Sequence, residues 1–357
     1  VLGEVYDLVV EDGAVVDATV DAGRTTRRSA RRLPDDAFVV PLHRSEAAAG
    51  TSTRYPNVVS LARNHSVLVL GEPGAGKTEF IKLLLPQLDP DDDDPVVVFD
   101  FKGEYREWAE RRGDVIRLSV RNATHHWNAF AEIEDEAEFE EIGRVLFKEA
   151  RERENEVFWP DAARSVLVAS MKYLHRESER SGLQVDNHEL SAFFSRFDRN
   201  DIYGLIAEYD RDEDLRGALS NISPDVDRQA TSVMSHLQTV LRDVLVGDFA
   251  RRGTFSIREY MADPRGRTLL LDYPIQEGER VTAPFRFFVN WAIRFGLDDP
   301  TRNAYFVLDE FAQLPHADYI KTLVATGRPR KCPAILGLQS LAHLEPAYAT
   351  ATTRSIL

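Results

Sequence analysis

Three features of the sequence predict an α/β protein with a mostly parallel central sheet, carrying an all-α insertion domain and a small N-terminal β-rich segment. Short apolar runs (Ser66–Leu70, Val96–Phe99, Thr268–Leu271, Ala304–Leu308 and Ala334–Leu338) recur with helical patterns between them. Continuous apolar runs mark strands buried on both faces, and their alternation with helices builds a parallel sheet. A glycine-rich turn joins the first of these strands to a helix. From Asp135 to Ala250 strand signals vanish and apolar residues keep helical spacing.

The chain has 357 residues, 43% of them hydrophobic, enough for one large or two ordinary domains with a sizeable core. Its single cysteine, Cys332, excludes an internal disulfide and a cysteine metal cluster. No apolar run approaches the roughly 18–20 residues of a membrane span, and no signal-peptide pattern opens the chain. The chain begins without Met and stops after a strand and a helical pattern, so a longer protein is expected, with membrane helices upstream left open. The net charge is −15, and only seven of the 44 basic residues are lysines. Such Asp-rich, Lys-poor chemistry suits a halophile, a protein working in high salt. An acidic total argues against nonspecific coating of nucleic acid and leaves room for a local basic channel.

Taken in order, Glu4–Val10 and Ala14–Val20 alternate apolar and polar residues around Asp12-Gly13, a hairpin signal. Arg24–Arg32 is a basic run read as a solvated linker, Phe38–Leu42 a further strand, and 47–52 a loop. Ser66–Leu70 feeds the glycine turn. Asp89–Pro95 is an acidic turn, expected to be solvated. Val96–Asp100 is a buried strand, followed by a helix to Arg112 and a strand at Val115–Ser119. Helices are expected over Glu138–Arg151, Asp161–Arg176, Ser191–Phe197 and Asp201–Tyr209. Ser223-Pro224 pairs a helix cap with Pro at the first helical position. The stripe Val226, Ala230, Val233, Leu237, Val240, Leu241 and Val244 then marks one buried helix face. Strand and helix alternate again from Arg267 onward, with a helix over Ala283–Phe295. His125-His126 lacks an acid or cysteine at ligand spacing and reads as surface or packing histidines. Arg251-Arg252 is placed as a helix C-terminal cap.

Gly71-Glu72-Pro73-Gly74-Ala75-Gly76-Lys77-Thr78 fits G-x-x-x-x-G-K-[ST], and strand and helix flank it as that motif requires. Its glycines let backbone N–H groups converge on an anion, and the helix adds its positive end. Lys77 would reach the β- and γ-phosphates, and Thr78 would ligate Mg²⁺. Asp309-Glu310 closes a buried strand, so two carboxylates arrive at the sheet edge that holds phosphate. Asp309 would hold Mg²⁺ through water and Glu310 would act as general base. Gln339, at the tip of the following strand, would face the γ-phosphate. Arg328, in Gly327-Arg328-Pro-Arg330-Lys331, would be an arginine finger offered to a neighbouring subunit. ATP and Mg²⁺ are the implied ligands.

Asp309-Glu-Phe-Ala-Gln-Leu-Pro315, Gly327-Arg328 and Leu338-Gln339-Ser340…Tyr348 resemble the DEF-x-x-LP, GR and QS-x-x-QL-x-x-x-Y signatures of type IV secretion coupling proteins. These are the TraD/TraG-like conjugative ATPases, related to HerA and FtsK. Asp100-Phe-Lys102-Gly103-Glu104 is similar to their D-P-K-G-E segment. Trp127-Asn128-Ala-Phe resembles their asparagine-proline segment with Ala129 in place of Pro. The departures are His343 for Gln, Ala349 for Gly and the absence of the last strands of the usual sheet. The resemblance implies a RecA-like P-loop NTPase. Residues 1–65 would form the β-rich segment, 66–131 the first part of the core, 132–254 the insertion and 255–357 the second part.

It implies an ATP-driven hexameric ring that translocates DNA, cytoplasmic and at the inner face of the membrane. The membrane would be reached only through segments outside this chain. Relaxase or secretion-channel proteins would be partners. Two alternatives are a soluble HerA/FtsK-like pump in repair or packaging, and a nucleotide-dependent docking receptor for secreted protein cargo. A small-molecule kinase is disfavoured by Glu310 beside Asp309.

Overall fold

A computed structural model of the chain describes residues 66–340, apart from 86–87, 89–92, 154–155, 210–214 and 315–316, together with the backbone of four strands within 5–62. Those strands are β1 (Val5–Glu11), β2 (Ala14–Val20), β3 (Ala37–Pro41) and β4 (Ser52–Ala62), in the antiparallel order β2-β1-β4-β3. The expected hairpin is present. Strand β4 was not legible because Pro56 interrupts it. Pro56 and Asn57 fall where the register against β1 shifts, between Tyr6↔Val58 and Leu8↔Tyr55, the kind of bulge at which a strand tolerates proline. The basic run at 24–32, residues 47–51 of the loop expected over 47–52, His343, Tyr348 and Ala349 lie outside the described residues, and Ser52 opens β4 instead of closing that loop.

The main sheet is parallel throughout. It comprises β5 (Val67–Leu70), β6 (Val96–Asp100), β7 (Val115–Leu118), β8 (Thr268–Asp272), β9 (Tyr305–Leu308) and β10 (Ala334–Leu338), in the order β5-β10-β9-β6-β8-β7. Side chains alternate between two apolar layers. Val96, Val98, Leu270, Val307 and Ile335 pack on one side with Ile81 and Leu84 of α1 (Lys77–Leu84). Val97, Phe99, Leu269, Leu271, Phe306, Leu308 and Leu336 face the other way. There they meet Phe285, Phe288 and Trp291 of α10 (Thr282–Asp298), a helix apolar nearly all round and therefore buried between layers. Helix α2 (Arg106–Arg112) joins β6 to β7. Asp94, expected in a solvated turn, is buried and accepts the Asn303 N–H at 3.1 Å, bracing the entry to β6.

Between β7 and β8 the chain is helical: α3 (Glu136–Arg153), α4 (Phe158–Ser181), α5 (Asn187–Arg196), α6 (Arg199–Tyr209), α7 (Arg216–Leu219), α8 (Asp227–Val244) and α9 (Ile257–Ala262). Ala230, Val233, Leu237, Val240 and Val244 form the buried face of α8. Ser223 and Pro224 open a short 3₁₀ turn instead of α8 itself, which starts at Asp227. Arg251 and Arg252 do not cap α8: they pair with Asp248 and Glu189 at 3.0 and 2.5 Å.

The helical segment enters and leaves the sheet side by side, joined by a buried polar seam. Trp127 and Phe255 form a parallel bridge. Asn187, fully buried, donates to the carbonyls of Trp127 and Phe249, both at 2.9 Å, and accepts the Ala129 N–H at 3.0 Å. Asn128 donates to Val185 O at 3.1 Å and accepts the Phe130 N–H at 3.0 Å. Glu132, also fully buried, accepts from Trp127 Nε1, Ser256 Oγ and the Ile257 and Arg258 N–H groups at 2.7–3.1 Å. Ala129 thus uses an N–H that proline lacks.

Two outcomes are expected. Ala129→Pro strands the buried Asn187 oxygen, at a cost of about 1–3 kcal/mol in urea unfolding. Burial pushes the Glu132 carboxyl up to about 7 from an ordinary 4.5, against its four hydrogen bonds. The folded state therefore holds this proton more tightly, and the contribution falls as pH rises between those values. Unfolding curves across that window should slope more steeply for wild type than for Glu132→Gln; equal slopes would remove the assignment.

Candidate active site

Parallel register sets the site. Leu338 pairs with Leu70, Leu336 with Leu308, and Leu308 with Phe99, so β5, β10, β9 and β6 all end at the carboxyl edge, β5 and β10 two residues beyond β9. Four adjacent strand ends deliver Gly71–Thr78, Gln339, Asp309-Glu310 and Asp100–Tyr105. Ligands of open α/β sheets bind at such carboxyl ends.

The glycine loop starts where Gly71 N–H meets Leu338 O at 3.2 Å. Gly74 and Gly76 have φ of +82° and +83°, a conformation that glycine adopts without strain. Gly76 precedes α1 with no side-chain cap, so the helix's first N–H groups point outward unanswered by a side chain. Glu72, Pro73 and Ala75 complete the loop, closed by Ala75 N–H on Glu72 O at 3.0 Å.

Behind the loop, Lys77 and Thr78 are buried against Asp309 and Glu310. Lys77 Nζ bonds Glu310 Oε1 and lies 3.8 Å from Asp309 Oδ1. Thr78 Oγ1 donates to Asp309 Oδ2 at 3.2 Å, and the Tyr105 hydroxyl donates to the same oxygen at 2.8 Å. Asp309 Oδ1 is buried with no hydrogen bond. Glu310 shows the same asymmetry. Its Oε1 also receives Lys102 Nζ and Gln339 Nε2, each at 3.1 Å, and no described residue donates to its Oε2. Glu310 holds φ +54° as the residue leading into the 3₁₀ turn Phe311–Gln313. A non-glycine residue there is strained, a feature frequent at functional sites.

Charge follows contact. Burial would raise the Glu310 carboxyl, but hydrogen bonds from Lys77, Lys102 and Gln339 outweigh it and hold the group below its ordinary value. Burial would lower Lys102, yet Glu310 and Asp309 hold it above its ordinary value. Burial and the Asp309 charge push the Tyr105 phenol far up, so it stays a donor. Burial also raises Asp100, whose carboxylate accepts the Glu104 and Tyr105 N–H groups at 3.0 and 2.9 Å. That turn, with Gly103 at φ +73°, aims Lys102 and Tyr105 at the site.

Arg328 is not brought to this cluster. It is exposed on the turn 327–332 before β10, at the opposite edge of the sheet. Cys332 N–H bonds Gly327 O at 2.8 Å and Lys331 N–H bonds Arg328 O at 3.2 Å, closing the turn on itself. His125 packs edge-on against Phe255, 5.8 Å between ring centres.

Residues 53–357 match the family of type IV secretion-system coupling protein DNA-binding domains. The chain belongs to this family. No curated protein matches it in sequence. Among solved structures, the plasmid coupling protein TrwB with the ATP analogue ADPNP is similar, with 22% identity and TM-score 0.62 over 82% of this chain and 68% of that one. TrwB with ADP and Mg²⁺ has 20% identity and TM-score 0.61, over 84% and 69%. VirB4 of Thermoanaerobacter pseudethanolicus has 16% identity and TM-score 0.52, over 85% and 79%. At these identities the likeness shows a shared fold, the RecA-like P-loop core anticipated from sequence. No helix of this coupling-protein chain, among the described residues, is long and apolar enough to cross a membrane.

Sequence reasoning placed Lys77, Thr78, Asp309, Glu310 and Gln339, which meet. It missed Tyr105 and gave Lys102 and Asp100 no role. Gly337 was also missed: a Cβ there would stand 2.2 Å from Asp309 Oδ1. The signal was a glycine inside an otherwise apolar central strand, which marks close approach. Gly337→Ala should therefore displace Asp309 and cost about 1–3 kcal/mol by overpacking, measured by denaturant unfolding.

Proposed function

We propose that this chain is the ATP-hydrolysing motor of a coupling protein, moving DNA through a ring of subunits. The supporting observation is the meeting of a phosphate loop with two carboxylates and a glutamine on adjacent strand ends, in a chain of this family. TrwB has been solved with ATP and GTP analogues and with ADP and Mg²⁺. The nucleotide here is taken to be Mg-ATP.

The phosphates lie in the Gly71–Thr78 cradle. Lys77 leaves Glu310 for the β- and γ-oxygens. The donor set fits Mg²⁺: Asp309 Oδ1 is a buried oxygen with no hydrogen-bond donor, and Thr78 Oγ1, bonded to Oδ2 of the same carboxylate, is a second hard ligand. Bound there, Mg²⁺ would neutralise charge on the phosphate oxygens. Thr78 would offer its hydroxyl oxygen to the cation, while the Tyr105 hydroxyl, donating to Oδ2, fixes the Asp309 carboxylate and so orients Oδ1. Glu310, held as carboxylate, takes a proton from water through Oε2, the oxygen without a donor. The water oxygen bonds to the γ-phosphorus, the bond from phosphorus to the bridging oxygen breaks, and ADP departs with that electron pair. Gln339, already on Glu310, orients the water and registers γ-phosphate loss.

Arg328 acts in trans. It lies far from its own site on a closed turn, suited to reach a neighbour's γ-phosphate. The hexameric ring gains support from charge. At molar salt the Debye length is about 3 Å and phosphate contacts weaken, so an acidic protein would hold DNA better by encircling it. Relaxase or secretion-channel proteins would be partners of that ring.

DNA-stimulated ATPase activity is expected. Glu310→Gln should lose it by about 10²–10⁴-fold while still binding Mg-ATP. Arg328→Ala should lose about 10³–10⁵-fold, with part restored on mixing with Lys77→Ala subunits. Normal hydrolysis by a strictly monomeric preparation would exclude the trans role.

A further inference from the structure

Lys77 has two claims on it. Glu310 Oε1 holds its ammonium, and a bound triphosphate competes for the same cation. Glu310 is 2% exposed, so losing Lys77 threatens to leave a buried carboxylate poorly compensated. Lys102 answers this. Its Nζ lies 3.1 Å from the same oxygen, approached from β6, on the side of β9 away from β10 and the glycine loop. Its side chain is one-third exposed, at 33%. It is held by a built turn: Asp100 accepts two backbone N–H groups, Gly103 takes the left-handed corner, and Phe101 packs on Tyr273 with ring centres 5.2 Å apart.

We propose that Lys102 is a positioning residue for Glu310, taking over the carboxylate when Lys77 moves to the phosphates. Together with Gln339 it keeps Oε1 occupied and Oε2 aimed at water. The inference rests on Glu310 being the general base. Because Lys102 acts on the carboxylate and not on the phosphates, its loss affects turnover and spares nucleotide affinity.

The test uses the full chain with DNA, following kcat and KM for ATP and the Kd of a fluorescent ATP analogue with Mg²⁺. Lys102→Met should lower kcat by roughly tenfold to a hundredfold, the cost of a misplaced catalytic group, with Kd unchanged. Lys102→Arg, which keeps a cationic donor, should recover most of that loss. Should Lys102→Met fail to fold, Lys102→Gln carries the test, keeping a donor without the charge, and should also lower kcat. An unchanged kcat overturns the proposal. So does a Kd weakened in step with kcat, which would make Lys102 a phosphate ligand. Glu310→Gln separates the two readings. If it is inactive while Lys102→Met is normal, only the Lys102 role fails; if it hydrolyses ATP normally, the general base itself is misassigned.

Discussion

A single carboxylate oxygen, Oε1 of Glu310, organises the carboxyl edge of the sheet. It receives Lys77 from the glycine loop, Lys102 from the β6 turn and Gln339 from β10. Charges so buried are tolerable only when each is paired and hydrogen-bonded. Asp309 and Glu310 therefore require the lysines, and the lysines require a loop and a turn that bring them within reach. Both carboxylates carry their hydrogen-bond donors on one oxygen and leave the other without one among the described residues. A metal and a water each need such a free oxygen, so the arrangement that makes the charges bearable also leaves them usable.

That cluster depends on a plain backbone fact. Four parallel strands ending at one edge bring together residues from 71 to 339 because parallel register carries every strand to the same edge. Continuous apolar runs make this possible, since each strand is covered on both faces and cannot slip without burying a polar group. Gly337 extends the constraint to the interior. It leaves room for Asp309 Oδ1 where any side chain would displace it.

The helical segment between β7 and β8 is tied to this frame by polar contacts as well as by packing. Asn128, Asn187 and Glu132 satisfy the backbone at the two crossing points, and low local dielectric makes such a fully satisfied network stiff. Helix α11 (Asp318–Thr326) carries the chain from the Glu310 turn to the Arg328 turn. Its Asp318 pairs with Lys148 of α3, and its Tyr319 N–H reaches Asn290 of α10 at 3.2 Å. The Glu310 cluster, the exposed arginine and the helical segment thus share one element.

The sequence by itself determined the alternation of strand and helix, the glycine loop, the acidic pair and the glutamine, because these are local: a period of apolar residues, or a few residue types at fixed spacing. It could not place β4, whose proline breaks the local pattern and is excused only by a bulge against β1. Nor could it give Lys102, Tyr105 or Gly337 their places, since each matters through a partner about two hundred residues away, or, for Gly337, through a side chain on the neighbouring strand. Which oxygen of each carboxylate stays free, and that Arg328 stands at the far edge from its own loop, follow from strand order and register. Those are decided by how the layers pack, which only the tertiary structure contains.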